Sequence, residues 1–277
     1  MRKLLAAFVF CLASAAWADM TMVSEVTSSG RPSRTVTLSV KGPLALFEFN
    51  DGAVTRSMLR DGAAKKMYAI NHEKKELTVI TEEDSRELEA RQEAFRTQLK
   101  AQLEKLPPEQ RARMEATMLG PQTTGTAKAP NFTYEKKKTP ARKVNGFSCQ
   151  DHVVKRDGVE DGEGCFASWK DIGMSANDFK TTMESAMPNS SSQQMLTQVF
   201  DGQASAPGFP VWRKRTDKQG NSSESTVKSF SKSALGPEKF VLPKDYAQKS
   251  MGEALKAQPA PRQQAPSPAP APGSKKN

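Results

Sequence analysis

Apolar and polar residues alternate with a period of two through much of the first eighty positions, and turn-forming pairs interrupt the alternation. Strand-like runs fall at Met20 to Ser29, Ser33 to Lys41, Leu44 to Asn50, Thr55 to Arg60, Lys66 to Asn71 and Glu76 to Thr81. Ser29-Gly30-Arg31-Pro32, Lys41-Gly42-Pro43, Asp51-Gly52 and Asp61-Gly62 separate most of them; these are residues that favour tight reversals. In the second run Val36, Leu38 and Val40 oppose Thr35, Thr37 and Ser39, so the pattern predicts an antiparallel meander with one buried face.

The period then changes. Leu88, Phe95, Leu99, Leu103 and Leu106 recur at seven, four, four and three residues, which places them on one face of an amphipathic helix. Thr81 with Asp84 has the spacing of a capping box, Glu82/Arg86 and Glu87/Arg91 are favourable i,i+4 pairs, and Pro107-Pro108 stops the run. A second helix is expected from Pro108, with Met114 and Met118 on one face and Gly120-Pro121 as its stop. The two make a helical hairpin at about residues 82–120, inserted between strands, and Gln122 to Pro130 reads as a link.

Strands resume at Phe132 to Lys138, Gly146 to Arg156 and Gly164 to Trp169. Ser175 and Asp178 open a short helix carrying Phe179, Met183 and Ala186, and Gln193 to Phe200 has the pattern of another. Gly208 to Trp212, Ser223 to Ser231 and the closing Phe240 to Tyr246 read as strands. The expected fold is α+β: a curved antiparallel sheet, an incomplete barrel, with an inserted helical hairpin and short additional helices in a single domain at 19–252.

The two ends carry different signals. Arg2 and Lys3, the apolar Leu4 to Ala16 and the small-x-small Ala16-Trp17-Ala18 have the order of a secretory signal at 1–18. Its apolar core is too short to cross a bilayer as a helix, so the mature chain is expected to have no transmembrane segment and to be exported, periplasmic or extracellular. At the other end, prolines 259, 261, 266, 268, 270 and 272 alternate with small and polar residues within 253–277, the composition of a disordered Pro/Ala-rich tail. Its scattered cations Lys256, Arg262, Lys275 and Lys276 make a weak electrostatic patch, so a solvated tail is expected, with contact to an anionic envelope surface as the alternative.

Loss of the signal removes Cys11 and leaves Cys149 and Cys165 in a compartment that permits oxidation. A disulfide there would tie a β-hairpin turned by Asp157-Gly158 and Glu163-Gly164. Metal binding by Cys149, His152 and Cys165, with Asp151 or His72 as fourth ligand, is the alternative, but the motif is incomplete, and no metal is expected. His72 and His152 are the only histidines, which leaves few ways to build a histidine-dependent triad. No G-x-S-x-G, phosphate-cradling loop or calcium-loop spacing occurs around Asp157, Asp161 and Glu163, and no cofactor is expected. Glu82-Glu83-Asp84 opens a helix, and Glu160, Asp161 and Glu163 read as a polar turn. Strand alternation splits Lys136 to Lys138 and Arg213 to Arg215 between two faces; they read as charges guarding sheet edges, and no nucleic-acid partner is expected.

Gly62 to Lys75 with its Tyr68-Ala-Ile-Asn-His72 centre, the helix pair with Pro107 to Arg111, and Gly146 to Trp169 resemble the secreted bacterial family known as domain of unknown function 4412. Asp171 to Phe179, Gly208 to Val211 and Phe240 to Tyr246 extend the resemblance over most of the mature chain. The family implies no established activity. The order of strands, inserted helix pair and terminal strands is more remotely similar to the lipoprotein-localisation carrier architecture. That resemblance implies an apolar cavity lined by Leu38, Phe47, Phe49, Phe95, Leu99, Met114 and Met118, with a lipid-like ligand or an envelope protein as partner. The expected function is therefore a non-enzymatic envelope binder. A structural or interaction module with a packed interior is the alternative, and a hydrolase would require polar groups converging in a cleft around His72 or His152.

Overall fold

Short turns set the register of the N-terminal half. In the computed structural model, which describes residues 19–52, 55–108, 110–111, 131–186, 206–216 and 220–256, an antiparallel meander runs through β1 (Met20–Ser28), β2 (Arg31–Lys41), β3 (Leu44–Asn50), β4 (Thr55–Asp61), β5 (Lys66–Asn71) and β6 (Glu76–Thr81). Helix α1 (Glu82–Leu103) follows, and then β7 (Phe132–Lys136), β8 (Arg142–Val144), β9 (Phe147–Arg156) and β10 (Val159–Ala167). The helices α2 (Trp169–Ile172) and α3 (Ala176–Ala186) lead to β11 (Phe209–Thr216), β12 (Ser222–Ser231), a 3-10 turn at Pro237–Phe240, β13 (Ala247–Ser250) and α4 (Met251–Lys256).

The thirteen strands of the described residues join one sheet, ordered β13-β6-β5-β4-β3-β2-β1-β12-β11-β10-β9-β7, with β8 also on β9. The pairing of β1 with β12 joins the N-terminal meander to the C-terminal one. The sheet does not close, and apart from the 22-residue α1 the described helices beside it are short. The pairing is antiparallel with one exception, β13 on β6, which is parallel. The expected closing strand at Phe240 to Tyr246 is corrected: Pro237 starts a 3-10 turn there, and the strand begins only at Ala247.

Parity along the strands separates two cores. On one face Met20, Met22, Leu38, Val40, Ala45 and Phe47 meet α2 and α3 through Ile172, Phe179, Met183 and Ala186. Phe209 sits at the centre of this layer, fully buried, with ring centroids of Trp169 and Phe179 5.7 Å away and that of Phe230 5.4 Å away. Rings at such separations in edge-on or tilted arrangements add stabilisation beyond the area they bury. On the other face Leu46, Leu59, Ile70 and Leu77 are covered by the C-terminal segment through Phe240, with Leu235, Leu242 and Tyr246 beside it. Asp19 fastens that segment to the start of β1, its carboxylate accepting from the Leu235 N–H at 2.8 Å and from Lys41 at 3.0 Å.

The Cys149–Cys165 disulfide is formed, with a Cα separation of 5.4 Å. The hairpin it ties turns at Asp157 (φ +52°) and Gly158 (φ +80°), the two left-handed residues of a type I′ reversal. The second expected turn is corrected: Glu163 and Gly164 are inside β10. A side chain at Gly164 would overlap the Phe166 ring, 2.8 Å from a Cβ placed there, so the glycine serves close packing within a strand. Trp169, expected at a strand end, instead opens α2, whose N-terminus is capped by the Ser168 hydroxyl.

Candidate functional site

The capping box that starts α1 forms as its spacing requires. Asp84 N–H donates to the Thr81 hydroxyl at 3.1 Å, and Thr81 N–H donates to the Asp84 carboxylate at 2.8 Å. The Thr81 hydroxyl, which also donates to that carboxylate at 2.7 Å, and then the Thr81 N–H hold the Asp84 carboxyl below the usual aspartate range. Arg91 and Glu87 pair at 2.6 Å on the exposed side. At the far end Arg111 folds back and donates to the carbonyls of Leu103, Glu104 and Leu106 at 3.2, 2.8 and 3.4 Å, occupying acceptors that a helix C-terminus otherwise leaves open. Its own N–H bonds to the Pro107 carbonyl at 2.9 Å, the i to i−4 bond of a new helical turn. The second helix of the expected hairpin, with Met114 and Met118, lies outside the described residues.

The apolar stripe of α1 is not buried evenly. Leu103 is 2% exposed, Leu88 and Leu99 are half-buried, and Phe95 stands 65% exposed in the middle of the helix. An exposed phenylalanine on a helix that adjoins the sheet at β6 is a large apolar group without a core to enter.

Of the seven residues expected to line one cavity, five are described. Leu38 and Phe47 are 1% and 4% exposed and belong to the core under α2 and α3, and Phe49 packs partly buried against the same cluster. Phe95 is not among the residues packed there. A groove of about 350 Å³ does exist among the described residues, between β6, the start of α1, β13 and α4. It is lined by Val79, Thr81, Asp84, Gln248, Lys249 and Glu253 among others. It shares no residue with the expected set, and Val79 is the one apolar residue in its lining.

Two polar constellations escape a sequence reading. His72, just past β5, has Nε2 at 2.8 Å from the Ser57 hydroxyl and Nδ1 at 3.0 Å from the Tyr246 hydroxyl. Ser57 is 7% exposed on the face covered by the C-terminal segment. His152 makes no such convergence: it is 8% exposed, bonded to the Gln150 carbonyl at 3.0 Å and set edge-on to Phe166.

The second constellation centres on Asp161, read from the sequence as part of a polar turn and found at the register shift between Glu160 and Gly162 in β10. A bulge inserts one residue and redirects its side chain. Here it turns the carboxylate toward Arg156 at 3.2 Å, Arg213 at 3.6 Å and Arg215 at 3.0 Å. Gly162 permits it, with φ +143° and the Lys214 carbonyl only 2.1 Å from where a Cβ would stand. The signal available in the sequence was an Asp-Gly pair flanked by strand residues. Among the described residues no group of three or more His, Cys, Asp or Glu side chains is arranged to hold a metal ion, and no helix is long and apolar enough to cross a membrane.

Similarity to solved structures covers most of the chain at low identity. An uncharacterized conserved protein from Thermus thermophilus is 8% identical with a TM-score of 0.42, over 84% of this chain and 90% of that one. The Pseudomonas aeruginosa MucA/MucB complex gives 8% identity and a TM-score of 0.35 over 82% of this chain. MucB in complex with MucA(peri) gives 8% and 0.36 over 84%. In both of these the match covers 57% of the other chain. No curated protein matches. The family described as "Domain of unknown function (DUF4412)" matches residues 97–246, more than half of the sequence, and the chain belongs to that family.

Proposed function

We propose that this is an exported, non-enzymatic protein of the bacterial envelope that binds a protein partner through the apolar face of α1. The observation that carries the reading is Phe95, 65% exposed at the middle of a 22-residue helix. Exposed aromatic residues backed by a rigid element are the usual anchors of protein interfaces. The sheet face offers less, because Leu38 and Phe47 are already committed to packing against the protein's own helices. A lipid carrier would keep that face open.

Native mass spectrometry, without reduction, of the full-length gene product purified gently from the envelope fraction tests this reading. The expected spectrum shows a chain starting at Asp19, two hydrogens lighter for its disulfide, in a protein complex that Phe95→Asp dissociates. A discrete adduct released as lipid would overturn the partner reading in favour of a carrier.

The Ser57, His72 and Tyr246 relay favours a second reading, hydrolysis of an activated ester. A serine bonded to a histidine that a third group orients is the arrangement of an activated nucleophile. The reading stands second because Ser57 is buried and the orienting group is a phenol instead of a carboxylate. A fluorophosphonate probe decides it: labelling of Ser57 that His72→Ala abolishes supports hydrolysis, and an unlabelled, folded protein removes it.

A further inference from the structure

The edge of the sheet formed by β7 and β8 is strongly basic. These two strands lie end to end along one side of β9, whose other side pairs with β10. With the turn that joins them they carry Lys136, Lys137, Lys138, Arg142 and Lys143. The pairing register sorts these cations between the two faces of the sheet, because residues opposite one another in a ladder share a face. Arg142 stands opposite Cys149, on the face of the larger core, and pairs with Asp151 at 3.1 Å. Lys137 pairs with Glu163, which stands opposite Val153 and so belongs to that face too. Lys143 stands opposite Ser148 and Lys136 opposite His152, which places both on the reverse face.

Between those two positions of β9 lies Gln150. Its side-chain amide donates to the Lys137 and Thr139 carbonyls at 3.2 and 3.1 Å, and the Lys137 N–H donates to the Asp151 carbonyl at 2.9 Å. The turn that carries Lys138 is thereby held against the stretch of β9 between the partners of Lys136 and Lys143. Lys136, Lys138 and Lys143 are exposed, and among the described residues none of them has an ion-pair partner. Charges that only discourage strand pairing have to stand along an edge, but they need not be divided into a paired face and an unpaired one.

We infer that this edge docks the protein on an anionic phospholipid surface, with Lys136, Lys138 and Lys143 toward the headgroup phosphates. Ser148 and His152 are four residues apart on β9, so Lys136 and Lys143 start about 13 Å apart, a spread that suits an array of negative groups. The large apolar side chains exposed among the described residues are Phe95, Val159 and Val241, none of them on β7, β8 or β9; the edge therefore lacks the apolar anchor around which protein interfaces are built. The groove described above lies at the opposite edge of the sheet, beside β13. This contact uses a different part of the molecule from Phe95 and does not depend on the reading of α1.

Co-sedimentation of the mature protein with vesicles tests the inference. Vesicles of phosphatidylcholine containing about one-third phosphatidylglycerol are expected to bind it, and those of phosphatidylcholine alone to bind it about a hundredfold more weakly. The triple variant Lys136→Gln, Lys138→Gln, Lys143→Gln should lose about a hundredfold in binding to the anionic vesicles. A second triple variant, Arg262→Gln, Lys275→Gln, Lys276→Gln, removes the same charge from the tail and should bind within about threefold of the wild type. Salt at about 1 M, which shortens the screening length to about 3 Å, should release the wild-type protein. Inorganic phosphate added at constant ionic strength should not.

A wild-type chain that does not bind the anionic vesicles, or an edge variant that binds as the wild type does, overturns the inference. Detachment of the tail variant in place of the edge variant assigns the contact to the tail and overturns it as well. Displacement by inorganic phosphate overturns the surface in favour of a site for a single free anion. The three lysines are exposed, so their replacement leaves the core untouched, and far-UV circular dichroism of each variant checks that the sheet is intact.

Discussion

Replacing Cys149 and Cys165 together by alanine removes the link between β9 and β10 while leaving the means by which that hairpin forms. The turn at Asp157 and Gly158 and the ladder from Arg156 with Val159 to Cys149 with Ala167 remain. The loss therefore falls mainly on the unfolded chain. A crosslink between residues sixteen apart restrains that chain by about 3 kcal/mol on the loop-closure account. Both sulfurs are buried, with the cysteines 2% and 0% exposed, so alanine also leaves small voids that add about 1 kcal/mol. With a urea slope of about 2–3 kcal/mol per molar, the midpoint should fall by about 1–2 M.

Trp169 and Trp212, both packed against the larger core, report the transition by fluorescence, and far-UV circular dichroism follows the sheet. Wild-type protein reduced with dithiothreitol isolates the loop contribution, because the sulfurs stay in place. The difference between the reduced protein and the alanine variant then measures the voids. A midpoint that moves by less than about 0.3 M in the reduced protein would refute the loop-closure reasoning. Failure of the double variant to fold at all would refute the claim that the hairpin forms by its own turn and ladder.

Three further outcomes follow from single sites. Asp161→Asn removes the charge shared by Arg156, Arg213 and Arg215, the second of them 5% exposed; the variant should lose more than about 2 kcal/mol by urea denaturation. Gly162→Ala has to move the Lys214 carbonyl and should cost more than about 2 kcal/mol, whereas Gly158→Ala, open to solvent at φ +80°, should cost about 1; differential scanning calorimetry of the pair compares them. The lowered Asp84 carboxyl supports α1 fully above the ordinary aspartate range and loses that support as pH falls through its lowered folded value. Acid titration of helicity should therefore show a step below about pH 4 that Asp84→Asn abolishes.

Strand positions were legible because a period of two and a glycine-bearing turn are local facts. β3, β5 and β6 begin and end at the residues the alternation indicates. What the pattern lacked was anything non-local. The Asp-Gly at 157–158 and the Asp-Gly at 161–162 look alike in sequence, yet one is a reversal and the other a bulge, because only the second faces β11 and the arginines on it. β13 escaped notice for the same reason: Ala-Gln-Lys-Ser has little strand propensity, and its strand exists because the edge of β6 supplies the hydrogen bonds. His72 likewise gained its partners from β4 and from a residue 174 positions away.

The different burial of Leu38, Phe47 and Phe95 has a related cause. Periodicity assigns a residue to a face, and it is silent about what lies opposite that face. Leu38 and Phe47 on strands and Phe95 on a helix satisfy the same rule of apolar spacing, and their fates diverge with their neighbours. Phe179 and Met183 of α3 descend on the sheet and consume the first two, whereas α1 leaves the sheet at Thr81 and carries Phe95 out with it. A large apolar side chain left exposed after the core is complete is a stronger pointer to binding than membership of an apolar stripe, because folding accounts for the stripe and leaves the exposed ring unexplained. On that criterion the functional interest of this fold moves from the sheet, where the sequence pattern is densest, to the helix that stands beside it.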